Sequence, residues 1–298
     1  MKKKWYGKDT RLTLRMMLTV GLLIVVYLFF LTILSFFLEF MLLLIIAAFF
    51  LFLQFYFADK LVLWSTGAKI VSPQEYPQLH TIVERLCNMA DLPKPRVAVI
   101  NTPVPNAFAT GRSQKNAVVA VTTGLLNTLD TSEVEAVVGH ELTHVKNRDV
   151  LVITIASFLS TVAWFVMRFS LYSSFLGGGK RDKNAGAAVL IFFVSLLVWL
   201  VSFLLIRALS RYREFAADRG SAIITANPPA LISALLKISG KMKQVPTKDL
   251  REVEGINAFF IIPAISGESI MSLFSTHPPI EKRIERLEEM ERTLEGFR

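Results

Sequence analysis

The pattern of apolar and polar positions divides the chain into alternating membrane-like and water-soluble stretches. Residues 16–57 hold a single charge, Glu39, in 42 residues. A spanning helix needs about 20 apolar residues, so this stretch predicts two membrane helices joined by a tight turn at Glu39. A signal-peptide core runs to only about 7–15 residues before a small-residue cleavage site. Here the chain passes from Phe57 into Ala58-Asp59-Lys60 without such a site, so the stretch reads as a retained anchor. From residue 58 to 149 the pattern becomes that of a soluble domain. Ser72-Pro73-Gln74-Glu75 opens a predicted helix with apolar positions through Leu86, and the Leu92-Pro93-Lys94-Pro95 breaker leads into a strand over residues 96–100. Residues 103–111 read as an edge strand, because the prolines at 103 and 105 cannot donate into a central one. A third strand is expected over residues 116–122, followed by a helix capped by Thr131 or Ser132.

Two further apolar runs follow, 18 uncharged residues over 150–167 and 20 over 187–206. Between them lie Gly177-Gly178-Gly179 and the basic run Lys180-Arg181-Asp182-Lys183. That charge runs against the positive-inside rule if both runs cross, so a partly inserted hairpin is the alternative, with four spans the leading expectation. The rest is soluble in character: a helix from Arg207 past Ile224, a break at Asn227-Pro228-Pro229, a helix to Gly240, a loop-rich region over 240–270 and an amphipathic helix after Pro279. The expected layout is a basic leader (1–15), two transmembrane helices (16–57), the first part of a soluble domain (58–149), a transmembrane hairpin (150–206) and the second part of that domain (207–298). The class is an integral membrane protein, mainly α with a small β-sheet.

Composition agrees: of 298 residues, 53% are apolar and 19% charged, against about 45–50% and about 25% in soluble domains. Intrinsic disorder is excluded, and one cysteine, Cys87, excludes a disulfide scaffold and suits a reducing compartment. Cys87 stands in an apolar helical stretch and is expected as a small buried hydrophobe. Of the net charge of +9, five lie in residues 1–15. Because that basic leader abuts an apolar wall, it fits a cytoplasmic anchor flank, not nucleic-acid binding.

The chemistry concentrates at His140-Glu141-Leu142-Thr143-His144. On a helix, residues four apart share a face, so the two imidazoles can hold one ion while Glu141 at the flank reaches a water. Zinc in such a site lowers the pKa of water to about 7 and polarises a carbonyl, and the carboxylate takes up the proton. The chain has only four histidines, and two fall in this motif. A catalytic zinc needs a third protein ligand, and His80, His277 and the acids Glu214 and Asp218, again four apart, are all candidates. The small residues Ala216 and Ala217 would let that segment pack closely on the motif helix. Asp149, just beyond the motif helix, suggests a specific cationic partner, Arg148 or Arg211.

Taken together, His140-Glu141-x-x-His144, Arg211-x-x-Glu214-x-x-x-Asp218, Asn106-Ala107-Phe108-Ala109-Thr110-Gly111 and Thr276-His277-Pro278-Pro279 resemble the M48 metalloproteases. The four apolar runs narrow the resemblance to the bacterial HtpX-type membrane proteases, over essentially the whole chain. The resemblance implies a gluzincin-like protease domain with one zinc ion per chain. It makes Glu214 the third ligand beside His140 and His144, and Asp218 an acceptor for a ligand imidazole. It also implies that Glu141 is the catalytic base and that His277 stabilises the oxyanion. The edge strand carrying Asn106, Ala107, Phe108 and Ala109 would be the place where a polypeptide substrate lies extended.

One ion cannot be held from both sides of a bilayer. An even number of crossings therefore separates His144 from Glu214, and two runs separate the leader from the motif. The active site is thus expected on the cytoplasmic side of the cell (inner) membrane. The resemblance implies an endopeptidase acting on misfolded or damaged membrane proteins in stress-linked quality control. Two other readings compete: a processing protease with one dedicated substrate, and a non-catalytic membrane adaptor with a structural zinc. Glu141 speaks against the adaptor, since a structural site fills its fourth position and needs no base.

Overall fold

A computed structural model describes residues 9–35, 40–176, 185–242 and 277–295. Glu39, Gly177–Gly179, residues 180–183 and Thr276, with nearly all of the 240–270 region, lie outside the described residues. The chain divides into two compact units, one of residues 10–55 and 152–209, the other of residues 1–9, 56–151 and 210–298.

In the first unit, α1 (Thr10–Ser35), the start of α2 (Phe40–Thr66), α6 (Asp149–Leu176) and α7 (Ala185–Thr225) carry the apolar runs. Leu23, Tyr27, Ala156 and Leu209 form one buried cluster, and Phe30, Leu34, Ala163 and Val198 a second. The Tyr27 hydroxyl donates to the Ala156 carbonyl, so even this polar tip is satisfied internally. Leu18, Leu22, Phe29, Phe165 and Leu197 instead point outward and exposed, an unfavourable surface in water and a suitable one in lipid. Among the described residues, three helices are long and apolar enough to cross a membrane: Thr10–Ser35, Asp149–Arg168 and Gly186–Thr225.

The second unit holds a four-stranded sheet of order β1-β2-β4-β3, from β1 (Lys69–Ile70), β2 (Arg96–Ile100), β3 (Ala107–Thr110) and β4 (Val118–Thr122). β2 and β4 run parallel, with Arg96 opposite Val118 and Ile100 opposite Thr122, while β1 and β3 pair antiparallel at the two edges. Side chains alternate between faces. Val97, Val99, Val119 and Val121 join the main core with α3 (Pro77–Ala90), α5 (Thr131–Asn147) and α8 (Pro228–Met242), whereas Ala98, Ile100, Phe108 and Ala120 pack against Val62 and Leu63 of α2.

Several expectations shift in detail. α3 begins at Pro77, not at Ser72, because the Glu75 carboxylate accepts from both the Ser72 N–H (2.6 Å) and hydroxyl (2.8 Å) and closes a turn there. The edge strand spans only residues 107–110, and residues 114–116 form a 3-10 turn capped by Ser113 instead of starting β4. The cap of α5 is Asp130, one residue earlier than expected, because its carboxylate accepts from the Glu133 N–H while Glu133 accepts from the Asp130 N–H. α4 (Thr123–Thr128) links the sheet to that helix, and α9 (Ile280–Glu295) follows Pro279. The fourth apolar run and the helix expected from Arg207 are one continuous 41-residue helix, α7.

Candidate metal centre

The centre is assembled from the second half of α5, residues 213–218 of α7, and the start of α9. The two motif imidazoles of α5 sit edge to face with ring centroids 4.7 Å apart, and their Nε2 atoms are 3.1 Å apart. Glu214 stands across from both, Oε1 at 3.4 Å from His144 Nε2 and Oε2 at 3.6 Å from His140 Nε2. One ligand atom from each of His140, His144 and Glu214 lies within 4.8 Å of the others. In a tetrahedral zinc site with bonds of about 2.0–2.1 Å, ligand atoms stand about 3.3–3.4 Å from one another; the Nε2–Nε2 spacing and the two carboxylate contacts, made through different oxygens, are of that order. The donor set fits such an ion.

Small residues make this approach possible. A side chain on Gly220 of α7 would meet both γ atoms of Thr143 at 2.4 Å, and one on Gly139 would meet Ser221 Oγ at 3.2 Å. Ser221 Oγ then donates to the Ala136 carbonyl at 2.6 Å. The close packing expected from Ala216 and Ala217 is carried at its tightest point by Gly220.

Each imidazole rests on a carboxylate through its other nitrogen. His144 Nδ1 donates to Asp149 Oδ2 at 2.6 Å, and His140 Nδ1 stands 3.0 Å from Asp218 Oδ1. Such contacts fix the tautomer and leave Nε2 facing the ion. Each carboxylate is held in turn by an arginine. Arg213 donates to Asp149 Oδ1 and to the Asn147 carbonyl, so the partner of Asp149 is Arg213 rather than Arg148 or Arg211. Arg283 of α9 donates to Asp218 from Nε (2.8 Å) and Nη2 (2.6 Å), and its Nη1 lies 3.6 Å from Glu214. Arg283 was not legible as a site residue, although a signal exists. It stands with Ile280, Ile284 and Leu287 on the face where helical spacing calls for an apolar residue, and it is 1% exposed.

Electrostatics follow from these contacts. Burial works against charge on Glu214, but His277, His140 and His144 outweigh it and hold the carboxyl well below the usual range. Burial likewise opposes charge on Asp218, and Arg283 together with His140 keeps it low. Burial depresses the His140 imidazole, yet the bonds to Asp218 and Glu214 raise it overall. Glu141 is 4% exposed, and burial pushes its carboxyl up despite the two neighbouring histidines. The Ala109 main chain hydrogen-bonds to Glu141, which places the edge strand beside the motif.

The structure thus brings His140, Glu141, His144, Glu214, Asp218 and His277 together, with His277 Nδ1 3.1 Å from Glu214 Oε2. Asn106, Ala107 and Phe108 are buried along β3 and its approach, where Asn106 exchanges main-chain and hydroxyl bonds with Thr122. His80 lies apart, buried, with Nε2 3.1 Å from the Val71 carbonyl.

A donor set of this kind beside a buried glutamate, in a chain with membrane helices, defines a membrane-associated metallopeptidase. Residues 73–291 match the model described as Peptidase family M48, and the chain belongs to that family. Its relatives are of the HtpX type. It is 59% identical to "Protease HtpX homolog 2" of Methanosarcina mazei, over 99% of this chain and 100% of that one. It is 56% identical to "Protease HtpX homolog" of Moorella thermoacetica, with the same coverage. The crystal structure of S. mikatae Ste24p shares the fold, with a TM-score of 0.55 at 18% identity over 94% of this chain and 67% of that one.

Proposed function

We propose that this metalloprotease is a zinc endopeptidase that cleaves misfolded or damaged membrane proteins on the cytoplasmic side of the cell (inner) membrane. The observation that carries the reading is the convergence of His140, His144 and Glu214 beside the buried carboxylate of Glu141. These three side chains would hold zinc, which supplies Lewis acidity that brings the pKa of water down to about 7 and polarises the scissile carbonyl. Glu141 takes the proton of the attacking water on its carboxylate and passes it to the departing amine nitrogen as the C–N bond breaks. Asp218 and Asp149 aim the imidazoles, and Arg283 and Arg213 keep those carboxylates charged in the interior. His277 is read as the donor to the substrate oxygen that gains charge, acting from its place beside Glu214. The edge strand over residues 106–109 would receive the substrate main chain. The cytoplasmic side is supported by the basic leader and by the need for an even number of crossings between the ligand segments, and the substrate class by the HtpX-type resemblance.

The test is cleavage of an unfolded protein by the full chain in detergent, purified with chelator and then loaded with zinc, against Glu141→Gln. Wild type is expected to cleave and the variant to lose about 10²–10⁴-fold while binding zinc equally. Equal cleavage by both would remove Glu141 from its role.

A further inference from the structure

A narrow cleft opens beside His144, between the end of β3, the turn after it and the junction of α5 with α6, lined among others by Thr110, Arg112, Arg148 and Leu151. The turn is built for its position. Gly111 takes a φ of +127° where a side chain would strike the Asn116 carbonyl oxygen at 2.4 Å, and Gln114 Nε2 donates to the Lys146 carbonyl at 2.9 Å, tying the turn to the end of α5. The free volume is about 20 Å³. A single water needs about 10–15 Å³ by this measure, so the enclosed part of the cleft has room for a small polar group.

Its charge is uneven. The Arg112 guanidinium lies over the Tyr56 ring, 4.6 Å from the centroid, a contact that orients the cation without neutralising it. Arg148 closes α5 in the left-handed region with φ +55° and is exposed. No carboxylate pairs with either arginine among the described residues. The one acid in the cleft, Asp149, has Oδ2 taken by His144 and Oδ1 by Arg213. A cation at a helix C-terminus is ordinary, which accounts for Arg148 alone. It leaves unexplained why Arg112, from a separate segment, is held at the same cleft.

We propose that this cleft is a specificity pocket for an acidic side chain of the polypeptide substrate, with Arg112 and Arg148 as its recognition residues. The inference rests on the protease reading above. The cleft shares Ala109 with the edge strand and His144 with the ligand set, so the residue it selects lies within about two positions of the scissile bond.

The experiment is cleavage-site profiling of a proteome-derived peptide library by mass spectrometry, using the zinc-loaded full chain. Asp and Glu are expected to be enriched at one position near the cut, with kcat/KM about tenfold lower for matched Asn and Gln peptides. The variant Arg112→Glu/Arg148→Glu, checked for wild-type zinc content, is expected to select Lys or Arg at that same position. Equal rates on acid and amide peptides by wild type, with none by Glu141→Gln, would overturn the pocket and leave the protease standing. Retained acid preference in the charge-reversed variant would also overturn it. Failure of wild type to cleave any peptide would take both readings down together.

Discussion

Adding one methyl group at Gly220 tests whether helix packing sets the metal geometry. The built Cβ would stand 2.4 Å from Thr143 Cγ2 and Oγ1, whereas ordinary contacts begin at 3.4 Å, so α7 must withdraw from α5 by about 1 Å. Thr143 cannot rotate away cheaply. It is 0% exposed, and its hydroxyl donates to the Gly139 carbonyl at 2.8 Å. Metal sites tolerate ligand displacements of only about 0.2 Å, and Glu214 sits on the helix that would move. Gly220→Ala is therefore expected to weaken zinc binding at least about tenfold, by chelator competition, a loss on the scale of disturbed metal surroundings. Overpacking should cost about 1–3 kcal/mol, offset by up to about 1 kcal/mol from better helix propensity. Pairing it with Thr143→Ala removes both 2.4 Å contacts and leaves one at 2.9 Å, so partial recovery of affinity is expected. Wild-type zinc affinity together with a raised melting temperature in Gly220→Ala would refute the reasoning, since helix propensity alone would then be acting.

Other predictions follow from the supports of the site. Arg283→Met strands the buried Asp218 carboxylate and should destabilise the fold by about 3–5 kcal/mol in denaturant titration, whereas a neutral effect would mean that the ion pair only balances its own desolvation. Asp149→Asn removes the charged acceptor of His144 and should lower zinc affinity about 10–100-fold, read by chelator competition; unchanged affinity would show that the imidazole is oriented by packing alone. Burial pushes the Cys87 thiol up to about 11, so below that pH it stays protonated. Its maleimide labelling at pH 8 should be slow in the folded protein and rise sharply in denaturant; fast native labelling would place Cys87 outside the core.

What was legible in the sequence follows the range of the interactions. The pairing of His140 with His144 is a local property of helix geometry, and so is the return to apolar spacing in α9. The capping box was equally local: Asp130 and Glu133 stand three apart, and the reciprocal bonds select Asp130 over the neighbouring Thr131 and Ser132. Glu214 as a ligand needed the family resemblance, because its approach to α5 depends on contacts between residues about 80 positions apart. Sequence proximity does not select the partner of Asp149, because Arg211 and Arg213 are close in sequence but lie about 200° apart around a helix, and Arg213 is the one that reaches it. Hydropathy divides α7 into two segments because it reports the surroundings of a helix and not its continuity; no proline interrupts residues 185–225. For Arg283 the local pattern marks a charge on the apolar-spaced face of α9, but its partner Asp218, 65 positions away, is not visible from that pattern.

The position of Arg283 on α9 also bears on the order in which the centre is completed. Synthesis proceeds from the N-terminus, so both imidazoles and Glu214 leave the ribosome well before the segment that balances Asp218. Until residue 283 has been made and has docked, one support of the centre carries an uncompensated buried charge. The support of the centre is therefore completed only once α9 has docked against residues made before it.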